Sequence, residues 1–151
     1  MKVKFKYGIR TFSGTVDEMT YSSYKDGSVC IGRRWVMPKL TEQNSTLGKI
    51  SKNLAAIWEE ASDEYKQDFA SYAHLYGMLK SNRRKAVNSG FSLFVKAMYA
   101  WGKTEDPALD LSTLTFEDID TLGGKVENVA NCVSYGFLPS VPGWEYMDGE
   151  I

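Results

Sequence analysis

The chain has 151 residues, 43% of them hydrophobic and 25% charged, a composition that is ordinary for a globular protein with its own core. The stretch Met1–Lys6 has no apolar region typical of a secretory signal, and no apolar run is long enough for a membrane span. Secreted and membrane proteins are therefore not expected. We expect synthesis in the cytoplasm and no membrane partner.

The net charge of −1 conceals an uneven distribution of charge along the chain. Residues 1–100 contain 16 Lys and Arg against 9 Asp and Glu, a net charge of +7. Residues 101–151 contain 2 Lys and Arg against 10 Asp and Glu, a net charge of −8. Such an asymmetry between the two parts of a chain indicates work done through charged contact surfaces.

The N-terminal residues 2–10 alternate between apolar and basic side chains, which predicts a β-strand. The apolar positions are Val3, Phe5, Tyr7 and Ile9, and the basic ones are Lys2, Lys4, Lys6 and Arg10. Three lysines on one face suit an edge strand, where charge discourages unwanted pairing. They equally suit a strand that docks on an acidic partner.

Two further strands are predicted around the turn signal Lys25-Asp26-Gly27, over residues 18–24 and 28–37. The second of these strands contains Arg33, Arg34 and Trp35, and Pro38 ends it. The N-terminal region, residues 1–40, is therefore predicted to form an antiparallel hairpin or sheet.

Three helices are predicted over residues 41–102. Thr41 is the expected N-cap of the first, whose apolar stripe is Leu47, Ile50, Leu54, Ile57, Trp58 and Ala61. Ser62 is the expected cap of the second, whose apolar face is Tyr65, Phe69, Tyr72, Ala73 and Tyr76. The third runs from about Phe91 to Trp101. Short links between them predict a three-helix unit.

The acidic C-terminal segment, residues 103–151, is less regular. Thr115 is expected to cap a short helix over Phe116–Leu122, and residues 125–135 are a candidate strand. Proline and glycine are frequent in residues 138–151, which predicts an extended arm that carries Trp144 and Tyr146. The fold class predicted from all these elements is α+β, with one domain overall.

No catalytic, cofactor or metal constellation is found in the sequence. His74 is the one histidine, and glycine-rich phosphate loops and a nucleophile elbow are absent. Cys30 and Cys132 are interpreted as two reduced, buried thiols, with a disulfide as the alternative. The acidic cluster lacks the spacing of a calcium loop and comprises Asp106, Asp110, Glu117, Asp118 and Asp120. We therefore expect no enzyme activity, no cofactor and no metal site.

Basic residues form two candidate nucleic-acid surfaces. The denser one consists of Lys80, Arg83, Arg84 and Lys85, and the other combines the lysines of the first strand with Arg33 and Arg34. Aromatic side chains among them offer stacking surfaces for bases. The sequence pI of about 5.9 argues against a dedicated nucleic-acid binder, and a merely solvated basic loop is the alternative.

Self-assembly is the leading functional prediction, because basic strands and an acidic end on identical copies attract each other head to tail. Such contacts build rings or filaments. The expected contact residues are Lys2, Lys4, Lys6, Arg33, Arg34, Trp35, Trp144 and Tyr146. The rival interpretation is that the acidic segment folds back onto its own chain.

A set of motifs between residues 8 and 100 supports a structural role. They are Gly14, Tyr21, Tyr24-Lys25-x-Gly27, Arg33-Arg34, Pro38, Thr41-Glu42-x-Asn44, Ile57-Trp58, Ser62, Tyr65-Lys66, Phe69, Tyr72-Ala73 and Gly90-Phe91-x-x-Phe94-Val95. This pattern distantly resembles small proteins of bacterial, phage and prophage genomes. It departs from them at Asn44, where those proteins tend to have Gln, and the acidic third is not covered. The resemblance implies a component of a virion or filament.

Overall fold

The computed structural model describes residues 1–5, 8–9, 11–24, 27, 29–34, 36–37, 39–82, 85, 88–105, 109–122 and 124–151, except for the side chain of Asp120. It divides into two compact units. The sheet unit comprises Met1–Lys39 and Lys80–Val87, and the helical unit comprises Leu40–Leu79 and Asn88–Ile151. The predicted α+β class is confirmed, because an N-terminal antiparallel sheet precedes the helices.

The sheet unit is built around the predicted hairpin. Within the described residues its strands are β1 Lys2–Val3, β2 Gly14–Val16, β3 Met19–Tyr24 and β4 Val29–Arg34, in the spatial order β1-β4-β3-β2. β3 and β4 pair antiparallel, with Tyr24 opposite Val29, which confirms the hairpin. Residues 25, 26 and 28 of its turn lie outside the described residues.

The predicted N-terminal strand is shorter than expected. β1 contains Lys2 and Val3 and lies at one edge of the sheet, paired antiparallel with β4. The alternation persists beyond the strand, since Lys4 is exposed and Phe5 is half-buried. Phe5 contacts Tyr21, with 6.0 Å between the ring centroids.

The helical unit contains α1 Glu42–Glu60, α2 Asp63–Met78, α3 Gly90–Thr104, α4 Phe116–Thr121 and α5 Val129–Ser134. The predicted caps of α1 and α2 are confirmed. The Thr41 hydroxyl accepts from the Asn44 amide at 3.2 Å, and the Ser62 hydroxyl accepts from the Tyr65 amide at 3.1 Å. These bonds satisfy backbone amides that have no partner inside the helix, so both helices begin where the sequence places them.

Aromatic side chains from α1, α2 and α3 form the centre of the helical unit. Tyr65, Phe69 and Phe94 are completely buried, and Trp58 of α1 packs on them with 5.1 Å between its ring centroid and that of Phe94. Each such side chain contributes roughly 1.5–3 kcal/mol by leaving water. The 3–4 spacing of apolar residues on each helix therefore accounts for the assembly of this unit.

The prediction of a strand at residues 125–135 is wrong, because α5 lies there. Val129 and Val133 are four residues apart, which is the spacing of one helix face, and both are buried. The Asn128 side chain accepts from the Asn131 amide at 2.7 Å and caps this helix. A helix of six residues is too short for its period to stand out in the sequence.

Residues 138–151 do not form the predicted extended arm. Their regular structure is limited to a 3₁₀ turn, Trp144–Tyr146, as their prolines and glycines predict, but they pack into the helical unit. Val141 and Met147 are buried, and the Met147 carbonyl accepts from the Ala130 amide at 3.0 Å. Apolar side chains spaced along this segment find more burial against α2 and α5 than they would in water.

Glycine at position 149 allows a close approach of this segment to α2. A Cβ atom there would lie 3.1 Å from the Glu64 carbonyl carbon and 3.2 Å from the Tyr65 amide nitrogen. The Gly149 amide donates to the Asp68 carboxylate at 3.0 Å. The segment therefore folds back on its own chain within the helical unit, and its acidic residues lie on the surface of that unit.

Candidate interaction surfaces

The two units carry opposite charge, and the separation is sharper than the one between the two parts of the sequence. The sheet unit contains 12 Lys and Arg against 3 Asp and Glu, a net charge of +9. The helical unit contains 6 Lys and Arg against 16 Asp and Glu, a net charge of −10. The difference in net charge is larger between the units than between the two parts of the sequence, because residues 80–87, which carry four basic residues, belong to the sheet unit.

The predicted strand contacts are divided between the two faces of the sheet. Lys2 lies opposite Ile31 in the register, so its side chain shares a face with Arg33, two residues further along β4. Arg34 points to the other face and forms an ion pair with Glu18 at 2.6 Å. Lys6 and Trp35 lie outside the described residues.

The basic segment of residues 80–87 is described in part. Lys80 and Lys85 are exposed, and the Lys85 ammonium donates to the Asn82 side-chain oxygen at 3.1 Å. A lysine has three donors, so this bond leaves others for an anion. Arg83 and Arg84 lie outside the described residues.

The two aromatic residues predicted to anchor a partner differ in exposure. Tyr146 retains 86% of its accessible surface and is available for contact. Trp144 is half-buried and packs against the core of the helical unit. Trp144 therefore helps hold the C-terminal segment in place, and only Tyr146 projects freely.

Part of the acidic cluster has a local structural role. The Thr115 hydroxyl accepts from the Asp118 amide at 3.3 Å and so caps α4 as predicted, and the Asp118 carboxylate accepts from the Thr115 amide at 2.8 Å and from its hydroxyl at 2.7 Å. Hydrogen bonds from the Thr115 hydroxyl and amide lower the pKa of Asp118. Asp110 likewise accepts from the Ser112 amide and hydroxyl, and these bonds lower its pKa. Asp106 and the side chain of Asp120 lie outside the described residues.

An acidic pocket of about 310 Å³ lies where α4 meets the C-terminal residues. Its apolar lining is Phe116, Ile119 and Ile151, and its acidic lining is Glu117, Glu127 and Glu150. Glu117 belongs to the acidic cluster predicted from the sequence, whereas Glu127 and Glu150 do not. Only the return of the C-terminal segment, through the Ile151 amide bonded to the Glu127 carbonyl at 2.9 Å, brings them together. Apolar walls with carboxylates around them suit a cationic, partly apolar group.

The residues capable of nucleophilic or acid–base chemistry are dispersed. His74 is exposed on α2, whereas Cys30 and Cys132 are free, buried thiols. Burial raises the pKa of the Cys132 thiol to about 12, so it stays protonated and unreactive. Among the described residues no group of three or more His, Cys, Asp or Glu is placed to hold a metal ion. The described helices include none that is long and apolar enough to cross a membrane.

No protein-family model, curated protein or solved structure matches this chain. The resemblance to phage and prophage proteins therefore stays a prediction that depends on the motifs themselves.

Proposed function

We propose that the protein is a non-enzymatic structural subunit that assembles with copies of itself through its oppositely charged units. The observation that carries this proposal is the segregation of charge, +9 in the sheet unit and −10 in the helical unit. Identical copies with such a distribution attract each other head to tail, and a heterologous contact of that kind propagates into rings or filaments. The resemblance of residues 8–100 favours a virion component or a filament.

The acidic pocket is the proposed acceptor in the helical unit. Its glutamates, Glu117, Glu127 and Glu150, surround apolar walls, and the edge of a neighbouring sheet unit offers exposed Lys2 and Lys4 next to half-buried apolar side chains. Lysine stems cover apolar surface while their ammonium groups meet carboxylates. The chemistry of the acceptor thus matches the chemistry of the strand.

Light scattering after size-exclusion chromatography tests the proposal at about 0.1 M and about 1 M salt, where the screening length falls from roughly 10 Å to 3 Å. Assemblies should form at low salt and dissociate at high salt. A protein that remains monomeric at every concentration and at both salt levels would refute the proposal.

Mixing experiments separate contacts between copies from a contact within one chain. The Lys2→Glu/Lys4→Glu variant keeps the acidic unit, so it should fail to assemble alone but should cap wild-type assemblies and shorten them. A control variant, Lys96→Glu/Lys103→Glu, has the same change of net charge on the exposed surface of α3 and should still assemble. If neutralisation occurred inside each chain, mixing would produce no capped species.

A second candidate function, nucleic-acid binding, is favoured by the net charge of the sheet unit. The pI of the whole chain argued against it, but +9 within 47 residues is typical of a phosphate-binding module. Replacement of Arg83, Arg84 and Lys85 by Ala should weaken binding and flatten its dependence on salt. The absence of a mobility shift with DNA and RNA at low salt would eliminate this candidate.

A further inference from the structure

The two faces of the sheet differ in their chemistry. On the first, termed the packed face, the register places Val3 and Tyr21 together with Cys30. The rings of Phe5 and Phe12 pack on Tyr21, with 6.0 and 5.7 Å between the ring centroids. Cys30 is buried, and its thiol donates to the Phe12 carbonyl at 3.4 Å. This face is therefore occupied by apolar side chains of the sheet unit itself.

The opposite face, termed the donor face, carries hydrogen-bond donors in one row across three strands. Thr15 of β2, Thr20 of β3 and Arg33 of β4 are direct neighbours in the register, and all three are exposed. The Thr15 and Thr20 hydroxyl oxygens lie 3.2 Å apart, and whichever hydroxyl donates, the other keeps its hydrogen. The row spans about 10 Å, two strand spacings, and offers a guanidinium and a hydroxyl donor to an anion.

The rest of the donor face adds a basic, an aromatic and two aliphatic side chains. Exposed Lys2 lies opposite half-buried Ile31 in the next row. In the last row, Tyr24 lies opposite half-buried Val29 and retains 36% of its accessible surface. This row is four residues from the first, about 13 Å along the strands. An aromatic side chain beside aliphatic surface provides a platform on which nucleic-acid bases stack.

Negative charge is kept away from the donor face within the described part of the sheet unit. Its acidic residues there, Asp17 and Glu18, lie in the turn between β2 and β3, and Glu18 pairs with Arg34 of the packed face. The whole unit has a net charge of +9, so its partner is expected to be anionic. An acidic protein surface offers carboxylates alone, and a duplex keeps its bases stacked inside. Single-stranded nucleic acid combines phosphates with accessible bases and fits both parts of the face.

We propose that the donor face binds single-stranded nucleic acid, with phosphates along the row of Arg33, Thr20 and Thr15 and a base stacked on Tyr24. This inference rests on nucleic-acid binding, the second candidate function, and names its surface and the form of the nucleic acid. The distance of about 13 Å between the donor row and Tyr24 corresponds to about four nucleotide steps of roughly 3.4 Å. The site therefore takes about four nucleotides or more.

Adjacent arginines provide a matched pair of variants. Arg33→Ala and Arg34→Ala each remove one exposed guanidinium from β4, but from opposite faces of the sheet. Fluorescence polarisation measures binding of a labelled oligo(dT) of about 12 nucleotides at about 0.1 M salt. Arg33→Ala should raise the dissociation constant about tenfold, whereas Arg34→Ala should change it less than about twofold. The dependence of log K on log salt should become shallower by about 0.7 for Arg33→Ala alone.

Variants of Tyr24 test the stacking. Tyr24→Phe keeps a ring and should bind like the wild type, whereas Tyr24→Leu removes the ring and should weaken binding about fivefold or more. A polyglutamate peptide of about 12 residues, which has similar charge but no bases, should compete poorly with oligo(dT). A DNA duplex of the same length should also compete poorly. Circular dichroism of each variant establishes that it folds.

The outcomes separate the donor face from nucleic-acid binding as such. Equal losses for Arg33→Ala and Arg34→Ala, or wild-type affinity of Tyr24→Leu, would overturn the donor face and leave nucleic-acid binding by another part of the chain standing. Polyglutamate or duplex that competes as well as the single strand would overturn the assigned ligand. No binding of oligo(dT) or oligo(U) by the wild type at low salt would overturn both. Self-assembly is measured separately by light scattering, so its failure is not confused with any of these results.

Discussion

The Tyr65 hydroxyl provides a direct test of how the C-terminal segment is held. Tyr65 of α2 is completely buried and donates a hydrogen bond to the Val126 carbonyl at 2.9 Å, across 61 residues of sequence. Burial raises the pKa of this hydroxyl, so it remains a donor throughout the ordinary pH range. Tyr65→Phe removes the donor, retains the ring and leaves a buried carbonyl without its partner.

The expected loss is about 1–3 kcal/mol of unfolding free energy, the cost of a buried acceptor that lacks its donor. Urea unfolding followed by far-UV circular dichroism measures it, because most of that signal comes from the helical unit. Tyr146→Phe is the matched control, because the Tyr146 side chain is 86% exposed. The unfolding free energy of this variant should stay within about 0.5 kcal/mol of the wild-type value. Equal stabilities of the two variants would contradict the packing of residues 126–151 described above.

Two further predictions concern the same unit. Met147→Ala should destabilise it by about 2–5 kcal/mol, because Met147 is buried against the core, and a change below about 0.5 kcal/mol in urea unfolding would instead indicate a detached arm. Glu105 accepts from Lys125 at 2.8 Å and from Trp101 at 2.7 Å, and these bonds lower its pKa. Its stabilising contribution is therefore complete above the ordinary value of 4.5 and disappears as the pH falls through the lowered pKa. Glu105→Gln should be less stable at neutral pH and should lose less stability on acidification, and parallel pH profiles would refute this assignment.

Local sequence signals were sufficient for the hairpin and for the long helices. The Asp26-Gly27 turn signal in the sequence predicted the observed pairing of β3 with β4, and Thr41 and Ser62 predicted the starts of α1 and α2, because turns and caps depend on neighbours within a few residues. The same reasoning failed for α5, where six residues leave no clear period and the cap at Asn128 is the only strong signal.

The charge split was visible in the sequence, but its boundary was not. Sequence order joins residues 80–87 to the helices that flank them, whereas the tertiary structure assigns this basic segment to the sheet unit. Glu117, Glu127 and Glu150 likewise become neighbours only when the C-terminal residues return to α4. Such groupings depend on long-range contacts, which no local pattern encodes.

The sequence by itself determined which residues form the apolar stripe of α1, because a helical period places them on one face whatever packs there. The tertiary structure alone decided that Leu54 is completely buried and that Leu47, seven residues earlier, remains 53% exposed. The burial of a helical residue depends on which distant segments pack against its turn of the helix. Residues 111–114 reach α1 at Asn53, whose side chain donates to the Leu111 and Leu114 carbonyls. On the N-terminal side of Asn53 the stripe is only partly covered, and Ile50 is half-buried there.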